Sequence, residues 1–151
     1  MGRSGEINAV LGIANCYPQG RQLWRINGST HVTTDEHTHV GPTGFYAVDR
    51  AWQAQDWGKA HWMGTSPGHY ERVMHHGLNP KRMSDLEVGV VLQTLDGPVV
   101  VQTIELVPAH DRTLLWNLMI GGSHTMFVDG YCVTGWPRED DWDWDAWKPV
   151  A

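Results

Sequence analysis

Four residues in one short stretch, His31, Asp35, His37 and His39, have the side chains and spacing of a metal site. Side chains alternate with period two along a β-strand, so a single strand running over 31–39 would put all four on one face. Imidazole nitrogens with a carboxylate oxygen suit zinc. The competing reading is that these are turn and surface histidines, because a turn between Thr34 and His37 breaks the register. His75 and His76 make a poorer pair, since neighbouring residues on a strand point apart. Zinc is thus the one cofactor the residues raise, and the expectation is that none is bound.

Tryptophan offers a second chemistry. Clustered indoles beside Asp and Glu describe sugar-stacking clefts, and hydrolysis would need two carboxylates facing each other across roughly 5 to 9.5 Å. Trp52, Trp57 and Trp62 fit a core better than a sugar platform. The stretch 137–151 differs from the rest of the chain: in an extended segment Trp142 and Trp144 project from one face, and Asp141, Asp143 and Asp145 from the other. Burying one indole contributes about a few kcal/mol, and Trp is favoured among interface anchors. Trp136, Trp142, Trp144 and Trp147 are therefore the candidate partner-binding residues. Two readings stay open, a tail folded back over its own domain and a tail docked on a neighbouring subunit by strand addition.

These residues must be positioned by a small β domain. A chain of 151 residues has room for one domain, here placed at 1–136, and buries roughly 68–70% of the surface of its unfolded form. Apolar content of 41% against 19% charged residues is that of a globular protein, and the many Trp, Gly and Pro residues favour strands and turns. A net charge of -6 with scattered Lys and Arg argues against nucleic acid as a partner. No apolar run approaches a membrane span, and Met1 to Glu6 lacks the apolar centre of a secretory signal, so neither membrane insertion nor signal-dependent secretion is expected. Cys16 and Cys132 are too few and too far apart to define a disulfide framework, and two free, buried thiols are expected.

Ile7 to Ala14 reads as a strand closed by the turn Tyr17 to Gly20. Gln22 to Ile26 alternates before Asn27-Gly28, a strong hairpin signal, with a return strand at Thr30 to Thr34. A Gly41 to Gly44 loop and the run Phe45 to Val48 follow. Residues 50–83 carry no sustained period and read as an irregular insert with short helical turns at 49–54 and 69–76. Val90 to Leu95 and Val99 to Leu106, joined at Asp96-Gly97, make a second hairpin. Leu114 to Ile120 and Thr125 to Val133 are expected to form the last pair.

Three segments in order resemble the hedgehog/intein (Hint) family. They are Trp24-Arg25-Ile26-Asn27-Gly28 leading to Val32-Thr33-Thr34-Asp35-Glu36-His37, the stretch Met83 to Glu105, and the closing Trp116 to Val133 with its Gly-Gly-Ser-His-Thr and Asp-Gly. The resemblance implies a mainly β fold of antiparallel hairpins in a horseshoe or partly open barrel. It also implies that Thr34 and His37 match the pair that polarises a scissile peptide, and that His124 matches the histidine of the closing motif. Two reactive ends depart from the pattern. No Cys or Ser stands in a recognisable first motif, since Ser4 and Cys16 have the wrong context, and the terminal His-Asn pair maps onto Thr134-Gly135. Asn cuts the backbone by cyclising its side-chain amide, and Gly has none. The residues therefore predict a degenerate domain in which Thr34, His37 and His124 are vestigial, no catalysis is expected, and the module is structural. By resemblance it is similar to those of bacteriophage tail and tail-fibre proteins. The partners expected are protein subunits of an oligomeric assembly, in a virion or the bacterial cytoplasm. A self-processing domain, a zinc protein and a glycan-binding module are the alternatives.

Overall fold

The computed structural model describes residues 1–18, 20–35, 37–49, 83–120, 123 and 125–135, with the backbone alone at 11, 14–16, 83, 117 and 119. Of the insert expected over 50–83, Met83 belongs to β6, and residues 50–82 with the expected helical turns past Asp49, His124 and the Trp-bearing stretch 136–151 lie outside them. Among the described residues the fold is mainly β, without helix. No helix there is long and apolar enough to cross a membrane.

Among the described residues twelve short strands form three sheets. β1 (Val10–Cys16) pairs with β10 (Leu115–Ile120) in an antiparallel ribbon. β2 (Leu23–Ile26) lies between β3 (Val32–Thr34) and β9 (Ile104–Val107). The third sheet has seven strands: β4 (His39–Val40), β5 (Phe45–Ala47), β6 (Met83–Asp85), β7 (Val91–Thr94), β8 (Gly97–Val100), β11 (Thr125–Val128) and β12 (Tyr131–Thr134). Its spine is β12, which pairs with β11 and reaches β4 through Val133 and His39 and β7 through Tyr131 and Thr94. All four residues of β12 are buried.

Local signals explain the turns. Asn27 and Gly28 both take positive φ, 53° and 60°, and so do Asp129 and Gly130, at 48° and 86°. Those values are the mirror-image turn whose twist suits two-residue hairpins, and Asn, Asp and Gly tolerate it best. The core beneath is Ile26, Leu86, Leu92, Val101 and Tyr131.

Three expectations are corrected. The strand expected over Val99 to Leu106 is broken: β8 ends at Val100 in one sheet and β9 begins at Ile104 in another. The cause is Asn27, whose Oδ1 accepts from the backbone of Gln102 at 2.6 Å and Thr103 at 3.2 Å, while its backbone N–H donates to the Thr103 carbonyl at 2.9 Å. Those groups are thereby withdrawn from a continuous ladder. The segment Leu114 to Ile120 does not pair with Thr125 to Val133. It pairs with β1, and the last hairpin is contained within 125–134. The β5–β6 pair is parallel, with the insert as its crossover, where only hairpins were expected.

Candidate functional site

A single strand over 31–39 is not formed. β3 ends at Thr34, Asp35 begins a turn, and β4 starts at His39. The turn nevertheless brings histidines together from its two sides. Nε2 of His31 lies 2.8 Å from Nε2 of His39, with the rings nearly perpendicular at 77°. His31 stacks on Tyr131 of β12 at 4.8 Å between centroids, and His37 lies edge-on to His39 at 6.2 Å. His31 and His39 are buried, at 2% and 0% exposure.

Asp35 is not part of this group. Its Oδ1 accepts from Trp24 Nε1 at 2.6 Å and its Oδ2 from the Gln22 backbone at 2.8 Å, so the carboxylate closes the β2–β3 corner instead. Of the four residues with metal-site spacing, the fold joins His31 and His39, sets His37 beside them and diverts Asp35. Among the described residues no group of three or more His, Cys, Asp or Glu is arranged to hold a metal ion.

The hydrogen bonds assign the protons on these rings. A carbonyl oxygen can only accept, so His39 Nδ1, 3.0 Å from the His37 carbonyl, carries the hydrogen. Uncharged His39 then offers a bare Nε2, and the hydrogen between the two rings belongs to His31 Nε2. That leaves the lone pair of His31 Nδ1 buried and without a hydrogen-bond partner. Burial pushes the pKa of His31 down to about 4, with His37 adding to the shift and Asp129 opposing it. Burial also holds His39 well below the ordinary range, helped by His31 and His37. Both rings are neutral where ordinary histidines begin to titrate.

His37 faces the end of the last strand. Its Nε2 donates to the carbonyl oxygen of Thr134 at 2.7 Å, and the Thr134 amide donates to the Thr38 carbonyl at 3.1 Å. The ring thus sits on the peptide joining Thr134 to Gly135, where the resemblance puts its terminal pair. Thr34 is buried on β3 opposite Leu23. His124 lies outside the described residues, but its neighbour Thr125 is the register partner of Thr134.

No family model matches the chain, and no curated protein matches it significantly. Among solved structures it is similar to the VidaL intein, a selenomethionine variant, at 15% identity and a TM-score of 0.42, over 91% of this chain and 69% of that one.

Gly135 itself has no room for a side chain. A Cβ there would lie 2.6 Å from Ile120 Cγ1 and 2.7 Å from the Leu118 carbonyl oxygen, closer than real Cβ contacts come. Near the other end of the chain, Glu6, Asn8, Ser123 and Thr125 share a polar cluster. Ser123 donates to Glu6, and Asn8 Nδ2 donates to Ser123 Oγ at 2.9 Å and to the Thr125 carbonyl at 3.0 Å. Among the described residues Ser123 is bonded to the Glu6 carboxylate, Asn8 and the Thr125 hydroxyl, so the cluster ties the first residues to the segment before β11. Cys132 is free and buried, and burial pushes its thiol up to about 12, which makes it a poor nucleophile. The side chain of Cys16 is not described. Sequence reasoning missed Tyr131, whose part comes from a contact spanning 100 residues, and marked Thr134 only through the resemblance, not for the backbone carbonyl that His37 holds.

Proposed function

We propose that this chain is a Hint-like β domain that does not cut itself and works as a structural or interaction module without a cofactor. The observation that carries the reading is Gly135. Cleavage at that position requires an asparagine amide to attack its own backbone carbonyl, and even a Cβ there collides with Ile120 and the Leu118 carbonyl. The His37 contact to Thr134 supports the family part of the reading, because the matched histidine touches the position of the matched terminal pair. A lone histidine on a peptide carbonyl polarises it weakly and supplies no nucleophile, so the bond is held rather than broken.

The finer reading is a component of a bacteriophage tail or tail fibre, in the virion or in the bacterial cytoplasm before assembly, with protein subunits as partners. It follows the family resemblance, and co-sedimentation of the chain with purified virions tests it. The absence of cleavage is tested by mass: the purified full chain keeps its mass through prolonged incubation. Gly135→Asn does too, because the asparagine cannot be seated. Spontaneous shortening of the natural chain that His37→Ala abolishes would overturn the proposal.

A further inference from the structure

The pair His31 and His39 is also a joint between two sheets. His31 precedes β3 of the three-stranded sheet, where its carbonyl accepts from the Ile26 amide at 3.3 Å, and His39 opens β4 of the seven-stranded sheet. Among the described residues β4 meets β12 through the pairing of His39 with Val133, the Thr134 amide on the Thr38 carbonyl and His37 on the Thr134 carbonyl. On the β4 side, each of those contacts lies within two residues of His39. β12 holds β11 differently, along the whole of 131–134, so the β11–β12 hairpin is a unit and the β4–β12 seam is its narrow attachment.

We propose that this pair is an acid-opened latch: an added proton parts His31 from His39, β4 separates from β12, and the end of the last strand with its Thr134-Gly135 peptide comes free while the other ladders stay closed. The placement of hydrogens carries the inference. His39 Nδ1 keeps its hydrogen on the His37 carbonyl, which leaves three ring nitrogens in the pair. The 2.8 Å between the two Nε2 atoms has room for one hydrogen. A second hydrogen, whichever ring receives the proton, must therefore end on His31 Nδ1, which is buried and has no hydrogen-bond partner. An unpaired N–H on a buried cation is costly, and the same imidazolium in water satisfies both of its donors.

The groups around the pair fix the direction. His31 is faced by His39 of β4, His37 of the turn before it, Tyr131 of β12 and Asp129 of the β11–β12 turn, and His39 is faced by His31 and His37. Of these, Asp129 favours a charged His31, and burial together with His37 outweighs it. In the closed latch His31 takes up a proton only near pH 4, and a released histidine does so near pH 6.5. Opening thus gains as pH falls through that window and reverses above it. With both rings released, the open fraction rises roughly a hundredfold per pH unit below about pH 6. The latch needs neither self-cleavage nor a partner.

Hydrogen exchange of the full chain tests it, followed amide by amide by NMR and expressed as protection so that the direct effect of pH on exchange drops out. Protection of the Thr134 amide is expected to fall about a hundredfold or more between pH 7 and pH 5. At pH 5 it should also stand at least about tenfold below that of the Val101 amide, which donates to the Val90 carbonyl at 2.8 Å outside the seam. A smaller fall at Thr134 would overturn the latch. So would protection at Thr134 within about tenfold of that at Val101, because the molecule would then be opening as a whole. His31→Gln leaves one titrating ring in the pair and should cut the fall at Thr134 to roughly 25-fold. A fall as large as that of the natural chain would remove His31 from the latch and overturn the proposal, and the two measurements on the natural chain stand whether or not this variant folds.

Discussion

Two regions of this molecule invert the usual rule of burial. Around β12, polar rings are inside: His31 and His39 are almost completely enclosed, and Thr38, Thr125 and Thr134 are buried with them. Along the β1–β10 ribbon, apolar side chains are outside, with Ile13 and Trp116 mostly in solvent. The first inversion is tolerated because nearly every buried group is paired. One chain of hydrogen bonds runs from His31 to His39 to the His37 carbonyl, and His37 in turn holds Thr134. Pairing of that kind has no counterpart for exposed hydrocarbon, which lowers its free energy only by being covered. A paired polar group inside is therefore a sign of architecture, and a bare apolar group outside is a sign of an unmet contact.

Substitutions sharpen that contrast in descending order of effect. His39→Ala removes a fully buried ring, leaves a cavity and strips the His31 donor of its partner; a loss of about 3 kcal/mol in urea unfolding is expected. A loss under about 1 kcal/mol would mean that the polar interior contributes little.

Acid is a second probe of comparable size. The unfolded chain takes up protons near pH 6.5, whereas His31 in the fold does so only near pH 4. Stability from this group is thus fully present above about pH 6.5 and declines as pH falls, by up to about 3 kcal/mol at pH 4. His39 shifts in the same direction and steepens the decline. His31→Gln should flatten the profile between pH 6.5 and 4, and an unchanged slope would remove His31 from the account.

Asn27→Ala tests the joint between the three-stranded and the seven-stranded sheet. It deletes the acceptor shared by Gln102 and Thr103 and an asparagine at positive φ. A cost of about 1–2 kcal/mol is expected, seen as a lower denaturation midpoint. Trp116→Ser should have the smallest effect on stability, about 0.5 kcal/mol or less, because its indole is largely in water. A large loss of stability would show the indole to be a core residue and would erase the distinction between the two regions.

Local rules made much of the β3 and β12 neighbourhoods legible beforehand. Asn27-Gly28 and Asp129-Gly130 are turns because their backbones need residues that accept positive φ, and that requirement is written in the residue types. The break at Val101 to Thr103 was not legible, since the alternating Val99 to Leu106 looks like one strand until a side chain about 75 positions away claims its amides. The partner of β10 was hidden for the same reason: Leu114 to Ile120 is an apolar run that any free edge could satisfy, and chain proximity favoured the wrong one. In the site, period two placed His31 and His39 on a common face for a strand that does not exist. They meet because the turn through Asp35 folds the chain back on itself, so the two were paired through a mistaken geometry, and Asp35 was included on the same false premise.

The position of β12 has a consequence for how the molecule comes into being. Among the described residues the block β4–β5–β6 and the block β7–β8 enter one sheet only by pairing with β12. A nascent chain therefore carries two unfinished sheet fragments until residue 134 has left the ribosome, and each presents unpaired edges while it waits. Folding that ends with its most distant contacts is slow for its size, and an arrested chain shorter than about 130 residues is the species most exposed to aggregation.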